Sequence, residues 1–240
     1  MSKTKRWDIA ETCKHIENRY GSNQLTLAKP SLYSLSDRLD YARYHFQEVL
    51  ALFETFKSIH LTKKPLFIIR LGSEEEREDF EIFATKSGAN SVACVQSIHS
   101  IPDLLAHAIY FSLGMNLHPN AINERKVSSF NVIKFLQENS VYPSLGVALS
   151  QFSNHDDFKH IAALSNKAKH QGIVKQQLHE DFEGTKKNRH ELRFGAFEYS
   201  KICFQETPIT DLLESSYALA SNVIIEVGNE INKLYKTNAI

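Results

Sequence analysis

NHDDFKHIAALSNKAKHQGIV, from Asn154 to Val174, reads as one amphipathic helix spanning about residues 155–170. Asn154 stands where a capping side chain is wanted, Asp156 and Asp157 fall in the first turn, and Gly172 supplies a stop. The helix ends in Asn166, Lys167, Lys169 and His170. An amide, two ammonium groups and an imidazole within one turn can grip a phosphate or assist a proton transfer. The same residues also suit an ordinary helix end, where cations meet the negative pole for about 0.3–1 kcal/mol each.

Outward from this helix, the chain keeps a helical period. Residues 7–19 read as a short helix, and 31–59 as a long one on Leu35, Leu39, Ala42, Phe46, Val49, Leu50, Phe53 and Phe56. Residues 63–71 offer a short β-type apolar run closed by Gly72. Ser73 and Glu76 form a capping box for a helix over 74–87, with Gly88 as its stop. Residues 89–113 are helical in pattern, interrupted by Pro102, with Ser100 placed to cap the second half. Residues 115–126 read as loop, 128–138 and 144–152 as helices. Partial period-two alternation over 191–205, behind a turn-rich 183–189, predicts a small β excursion within about 174–205. Thr207-Pro208 then opens a final helix striped by Ile209, Leu212, Leu213, Ser216, Ala220, Val223, Val227, Ile231 and Leu234. The expectation is a mainly α, multi-helix bundle over residues 1–240 as a single domain, with a β-hairpin or sheet before the last long helix.

Ser165-Asn-Lys-Ala-Lys-His-Gln-Gly172 resembles the end of the signature helix of HEPN-type domains, helical proteins that often dimerise. In that family an arginine precedes a polar residue, often asparagine, and a histidine follows after four to six residues. Many members are metal-independent endoribonucleases. The resemblance places Asn166 at the polar position and His170 at the histidine, but Ala163, Leu164 and Ser165 fill the arginine slot and none is basic. Lys167 and Lys169 stand outside that slot and lack a bidentate fork. Arg38 and His45 also fit the spacing and carry no weight, because short patterns recur by chance. The resemblance implies an RNA- or nucleotide-binding homodimer, weak or inactive as a nuclease, in a defence- or toxin-related setting. His170 would act as general acid/base, Lys169 or Lys167 would balance phosphate charge, and Asn166 would orient the phosphate or a partner chain.

His99, Asp103 and His107, four residues apart, suggest one helix face able to line the same cleft, hold a metal or form a structural polar stripe. His155, Asp156, Asp157 and His160 read as capping chemistry. Lys186, Lys187, Arg189, His190 and Arg193 make the most basic local patch, suited to a solvated turn or to phosphate contact. No phosphate-cradling glycine loop, dinucleotide fingerprint or nucleophile elbow occurs.

With 28 basic and 28 acidic residues the formal charge is zero, so polyanion binding needs a local patch. Cys13, Cys94 and Cys203 are isolated, which argues against a disulfide framework or a zinc ribbon and for a reducing, cytoplasmic setting. No apolar run reaches membrane-spanning length, and no cofactor is expected. The alternative to RNA or nucleotide binding is an interaction or scaffold protein whose helix faces mediate oligomerisation. A third reading is a metal-dependent enzyme using His99 and His107.

Overall fold

The computed structural model describes residues 6–62, 64–185 and 188–237. Among them the order is α1 (Ile9–Tyr20), α2 (Ser22–Phe56), a π-helical turn (Lys57–Leu61), α3 (Leu66–Arg70), α4 (Glu74–His99), α5 (Ile101–Ser112), α6 (Ser129–Glu138), α7 (Pro143–Asn154) and α8 (Asp156–His170). Strands β1 (Gln176–Glu180), β2 (His190–Phe194), β3 (Phe197–Tyr199), β4 (Ile202–Phe204) and β5 (Thr207–Pro208) follow, then α9 (Ile209–Lys236). The protein is mainly α-helical, and its small antiparallel β excursion falls immediately before the final long helix, as the sequence predicts.

Helix boundaries move where burial outweighs local signals. α2 starts at Ser22 rather than near residue 31 and runs through Pro30. Leu25, Ala28, Leu32 and Leu35 are all buried, so a continuous apolar stripe offsets the hydrogen bond that proline removes. α4 likewise runs through Gly88 to His99, because Ser87, Ser91, Cys94, Val95 and Ile98 keep one face covered. The predicted β-type run at 63–71 is instead the short helix α3, with Lys63 outside the described residues. Asn154 closes α7, its amide donating to Ser150 O at 2.9 Å, and Asp157 N–H donates to His155 Nδ1 at 3.3 Å where α8 begins. Thr207–Pro208 pairs with Arg193–Phe194 as a strand instead of forming helix.

The chain divides into two compact units: Met1–Asp40 with Ile98–Lys159 and Tyr217–Ile240, and Tyr41–Ser97 with His160–Ser216. In the first, three side chains serve successive carbonyls at the end of α5. Gln24 Nε2 donates to Phe111 O at 2.6 Å, the Tyr235 hydroxyl donates to Ser112 O, and the Tyr20 hydroxyl donates to Leu113 O at 3.0 Å. These are the carbonyls a helix end leaves without intrahelical partners. Burial raises the pKa of Tyr235 and of Tyr20, which keeps both phenols protonated as donors. Gly114 takes a left-handed φ of 62°, and the Tyr20 ring lies where a Cβ would stand, so glycine is required there. Thr12 and Asn232 join α1 to α9 through a 2.6 Å hydrogen bond, and the Trp7 ring lies against Gly228.

In the second unit, Phe56 of α2 stacks on Phe83 of α4 with centroids 4.4 Å apart. The buried Cys94 thiol donates to Ala42 O at 3.2 Å, and burial pushes its pKa up to about 12. Strand β2 lies between β1 and β5 in the three-stranded sheet, and β3 pairs with β4 in a separate hairpin. Strand pleating turns His190, Leu192 and Phe194 inward, while Glu191 and Arg193 face the other way.

Replacing Gln24 with leucine removes the donor to Phe111 O and both halves of the amide exchange with Asn116. Because the site is buried, urea unfolding of Gln24→Leu should show a loss of about 1–3 kcal/mol; an unchanged midpoint would contradict this role.

Candidate binding cleft

The residues singled out in the sequence are distributed over both units. Asn166, Lys167, Lys169 and His170 lie at the end of α8 in the second unit. His170 and Lys169 are exposed, and neither makes a hydrogen bond or ion pair among the described residues. Asn166 is half-buried, also without such a partner. Lys167 is engaged: its Nζ lies 3.2 Å from both Gln171 Oε1 and Glu198 O, tying α8 to β3. His99, Asp103 and His107 belong to the first unit. The helix is interrupted at Ser100, so His99 ends α4 whereas Asp103 and His107 lie on α5. They therefore do not share a single helix. The His99 ring stacks near Phe158, Asp103 Oδ1 accepts from Ser129 N–H at 2.8 Å, and His107 lies beside Phe111. Asp103 thus serves the start of α6 from a distance.

In the basic patch, the two arginines are paired with carboxylates. Arg189 reaches Glu180 Oε1 through Nη2 at 2.8 Å and Nε at 3.0 Å, and Arg193 pairs with Glu191 and Glu206 at 3.2 and 2.9 Å. Lys186 and Lys187 lie outside the described residues. The Glu180 carboxylate, 1% exposed, also accepts from Leu66 N–H at 2.7 Å. It thus caps α3 from β1. His190 Nε2 stands 3.3 Å from Glu180 Oε1 without hydrogen-bond geometry. Its pKa is lowered by burial, which outweighs the opposing pull of Glu180. Elsewhere, His60 on the π-helical turn approaches Asp79 at 3.3 Å. Among the described residues, no group of three or more His, Cys, Asp or Glu side chains is placed to hold a metal ion.

A concavity of about 550 Å³ lies along α4, within the range of about 300–1,000 Å³ usual for ligand sites. One wall is the α4 face carrying Ala84, Gly88, Ala89 and Val92; the other is Ile173–Gln176 with Phe194. Gln176 holds the two walls together. Its Nε2 donates to Ser87 Oγ, and Ser91 Oγ–H lies 3.0 Å from its Oε1 and 2.9 Å from Ser87 O. The Ser87 hydroxyl in turn donates to Phe83 O at 2.7 Å. Gly88 is a helix-interior glycine, and beyond its chain neighbours and its own helix backbone no described atom lies within 4 Å of where its Cβ would stand. Glycine there costs about 0.5–1 kcal/mol relative to alanine and leaves the helix backbone open to close approach.

Two features of the opposite wall matter chemically. The main chain of Ile173 and Val174 makes no backbone hydrogen bond among the described residues, and β1, which this segment leads into, is an edge strand. Lys175 and Glu81, opposite charges lining the cleft, hold no ion pair among the described residues. Sequence reasoning missed this site. Its available signal was Ala84, Gly88, Ala89 and Ser91, a run of small residues inside a helical pattern.

No helix among the described residues is long and apolar enough to cross a membrane. No family model, curated protein or solved structure matches the chain.

Because His190 has a lowered pKa, the folded state binds fewer protons than the unfolded chain around pH 6. The stability this contributes is present above the ordinary value of about 6.5 and is lost as pH falls through the lower, folded value. An NMR titration of the His190 ring should give a midpoint below about 6.5; a midpoint above it would mean that the Glu180 charge prevails over burial.

Proposed function

We propose that this chain is an interaction module whose α4 cleft receives an extended peptide segment by strand addition. The observation that carries this reading is the pairing of an extended wall, with unbonded main chain at Ile173 and Val174, against a helix face opened by Gly88. Exposed strand edges are templates for another chain, and main-chain hydrogen bonds supply sequence-independent affinity. The apolar wall residues Ala84, Ala89, Val92 and Phe194 would then contact alternate side chains. Lys175 suits a carboxylate on the peptide and Glu81 a basic side chain. The α4 stretch from Glu81 to Val92 rises about 16 Å, which matches about five extended residues.

A second reading, RNA or nucleotide binding through the end of α8, is favoured by the exposure of Lys169 and His170 without partners. Cleavage gains no support from the geometry. Ala163, Leu164 and Ser165, where the family's arginine would fall, are buried, and His170 does not line the cleft.

Peptides selected from a random library against the full chain should lose at least tenfold in affinity to Gly88→Leu. That variant should be at least as thermally stable as the wild type, since leucine is the better helix former and open space receives it. Selected peptides that bind Gly88→Leu unchanged would count against the peptide reading. Metal-independent cleavage of a labelled single-stranded RNA, lost in His170→Ala, would favour the second.

A further inference from the structure

Within the second unit, α2 and α4 run antiparallel in one continuous register. The Cys94 thiol donates to Ala42 O at 3.2 Å, and His45 Nδ1 lies 2.8 Å from Asn90 Oδ1. Phe56 stacks on Phe83 at 4.4 Å, and His60 Nε2 lies 3.3 Å from Asp79 Oδ2. The contact extends over about 27 Å of helix. A groove of about 280 Å³ runs beside it, lined by Leu52, Phe56 and Phe83. Along α2, Tyr41, Tyr44, Glu48, Thr55 and Ile59 recur at helical intervals and share one face; Asp79, Ile82 and Lys86 do the same on α4. Tyr41, Tyr44, Ile59 and Ile82 are 53%, 56%, 64% and 44% exposed, so this face is both apolar and uncovered. It is distinct from the cleft, because Ala84 and Gly88 lie roughly half a turn from Lys86 around α4.

We propose that this face pairs with the same face of a second copy of the chain, closing an antiparallel four-helix bundle about a two-fold axis parallel to the helices. Exposed apolar stripes rich in tyrosine mark interaction surfaces. The charges identify the occupant. Glu48 and Lys86 line opposite walls of the groove at one level of the register, between the His45–Asn90 and Phe56–Phe83 contacts. Neither holds an ion pair among the described residues. An axis parallel to the helices sets α2 of each copy beside α4 of the other without changing levels. Glu48 of each copy then meets Lys86 of the other, and the surface is complementary to itself, as a two-fold interface requires. An axis across the helices would stack α2 on α2 and leave Glu48 away from Lys86. The inference is independent of the peptide reading.

Sedimentation equilibrium of the full chain over a concentration series tests it. The expected result is a reversible dimer. Thr55→Glu places a charge in the centre of the seam, and Tyr44→Glu places one nearer its end; each should give a monomer whose circular dichroism melt matches that of the wild type, since both side chains are exposed. Glu48→Lys and Lys86→Glu should each weaken the dimer about tenfold through like-charge contacts, and the double variant should recover most of that loss. Gly88→Leu, on the other side of α4, should leave the dimer unchanged. A monomer at every concentration overturns the proposal, as does a dimer that survives both Thr55→Glu and Tyr44→Glu or is lost in Gly88→Leu. Single charge reversals that the double variant fails to rescue overturn the arrangement about the parallel axis.

Discussion

The bridge from Gln176 to Ser87 and Ser91 is the constraint on which the cleft depends. It fixes the first residue of β1 to the side of α4, and pleating then decides which way every later residue of the strand faces. Gln176, Leu178 and Glu180 fall on one side, opposite Phe194, Leu192 and His190 of β2. From that register follow the inward Phe194 at the cleft and the buried Glu180 that caps α3. A single polar side chain at the sheet's entry therefore sets the positions of two separate features. The three residues before it, Ile173–Lys175, remain outside the ladder and line the open wall.

The bridge also shows how buried polarity is arranged in this unit. The Ser87 and Ser91 hydroxyls lie near carbonyls of their own helix as well as the amide of another element, so burial leaves their hydrogen-bonding capacity used. Ser165 departs from that pattern: its buried hydroxyl has no hydrogen-bond partner among the described residues. Glu180 shows a contrasting case: a buried carboxylate with acceptors occupied by Leu66 N–H and Arg189 is a structural tie with little capacity left for a ligand.

Much of the architecture was legible because it depends on periodicity and capping chemistry. The Ser73–Glu76 box forms as predicted, with Glu76 N–H donating to Ser73 Oγ at 3.2 Å and Ser73 N–H donating to Glu76 Oε2 at 3.1 Å. The stripe of the last helix and the β excursion before it also follow from short-range pattern. The helix start near residue 31, the stop at Gly88 and the β-type run at 63–71 differ from the structure for one reason: tertiary burial outweighs local propensity, and α3 takes its cap from Glu180, far away in sequence. The site was less legible still. Lys169 and His170 draw attention by their chemistry, yet the cleft is built from alanine, glycine, serine and an unpaired stretch of main chain. Such features acquire meaning only once β1 is set beside α4.

Hydrogen exchange at Ile173 and Val174 tests the central claim most directly. In the unliganded protein their amides should exchange at rates close to those of open chain, since no backbone acceptor holds them. With a library-selected peptide bound, both should become protected while Lys169 and His170 at the end of α8 stay unchanged. Protection confined to the α8 terminus, or none at residues 173 and 174 at saturating peptide, would contradict strand addition in the cleft.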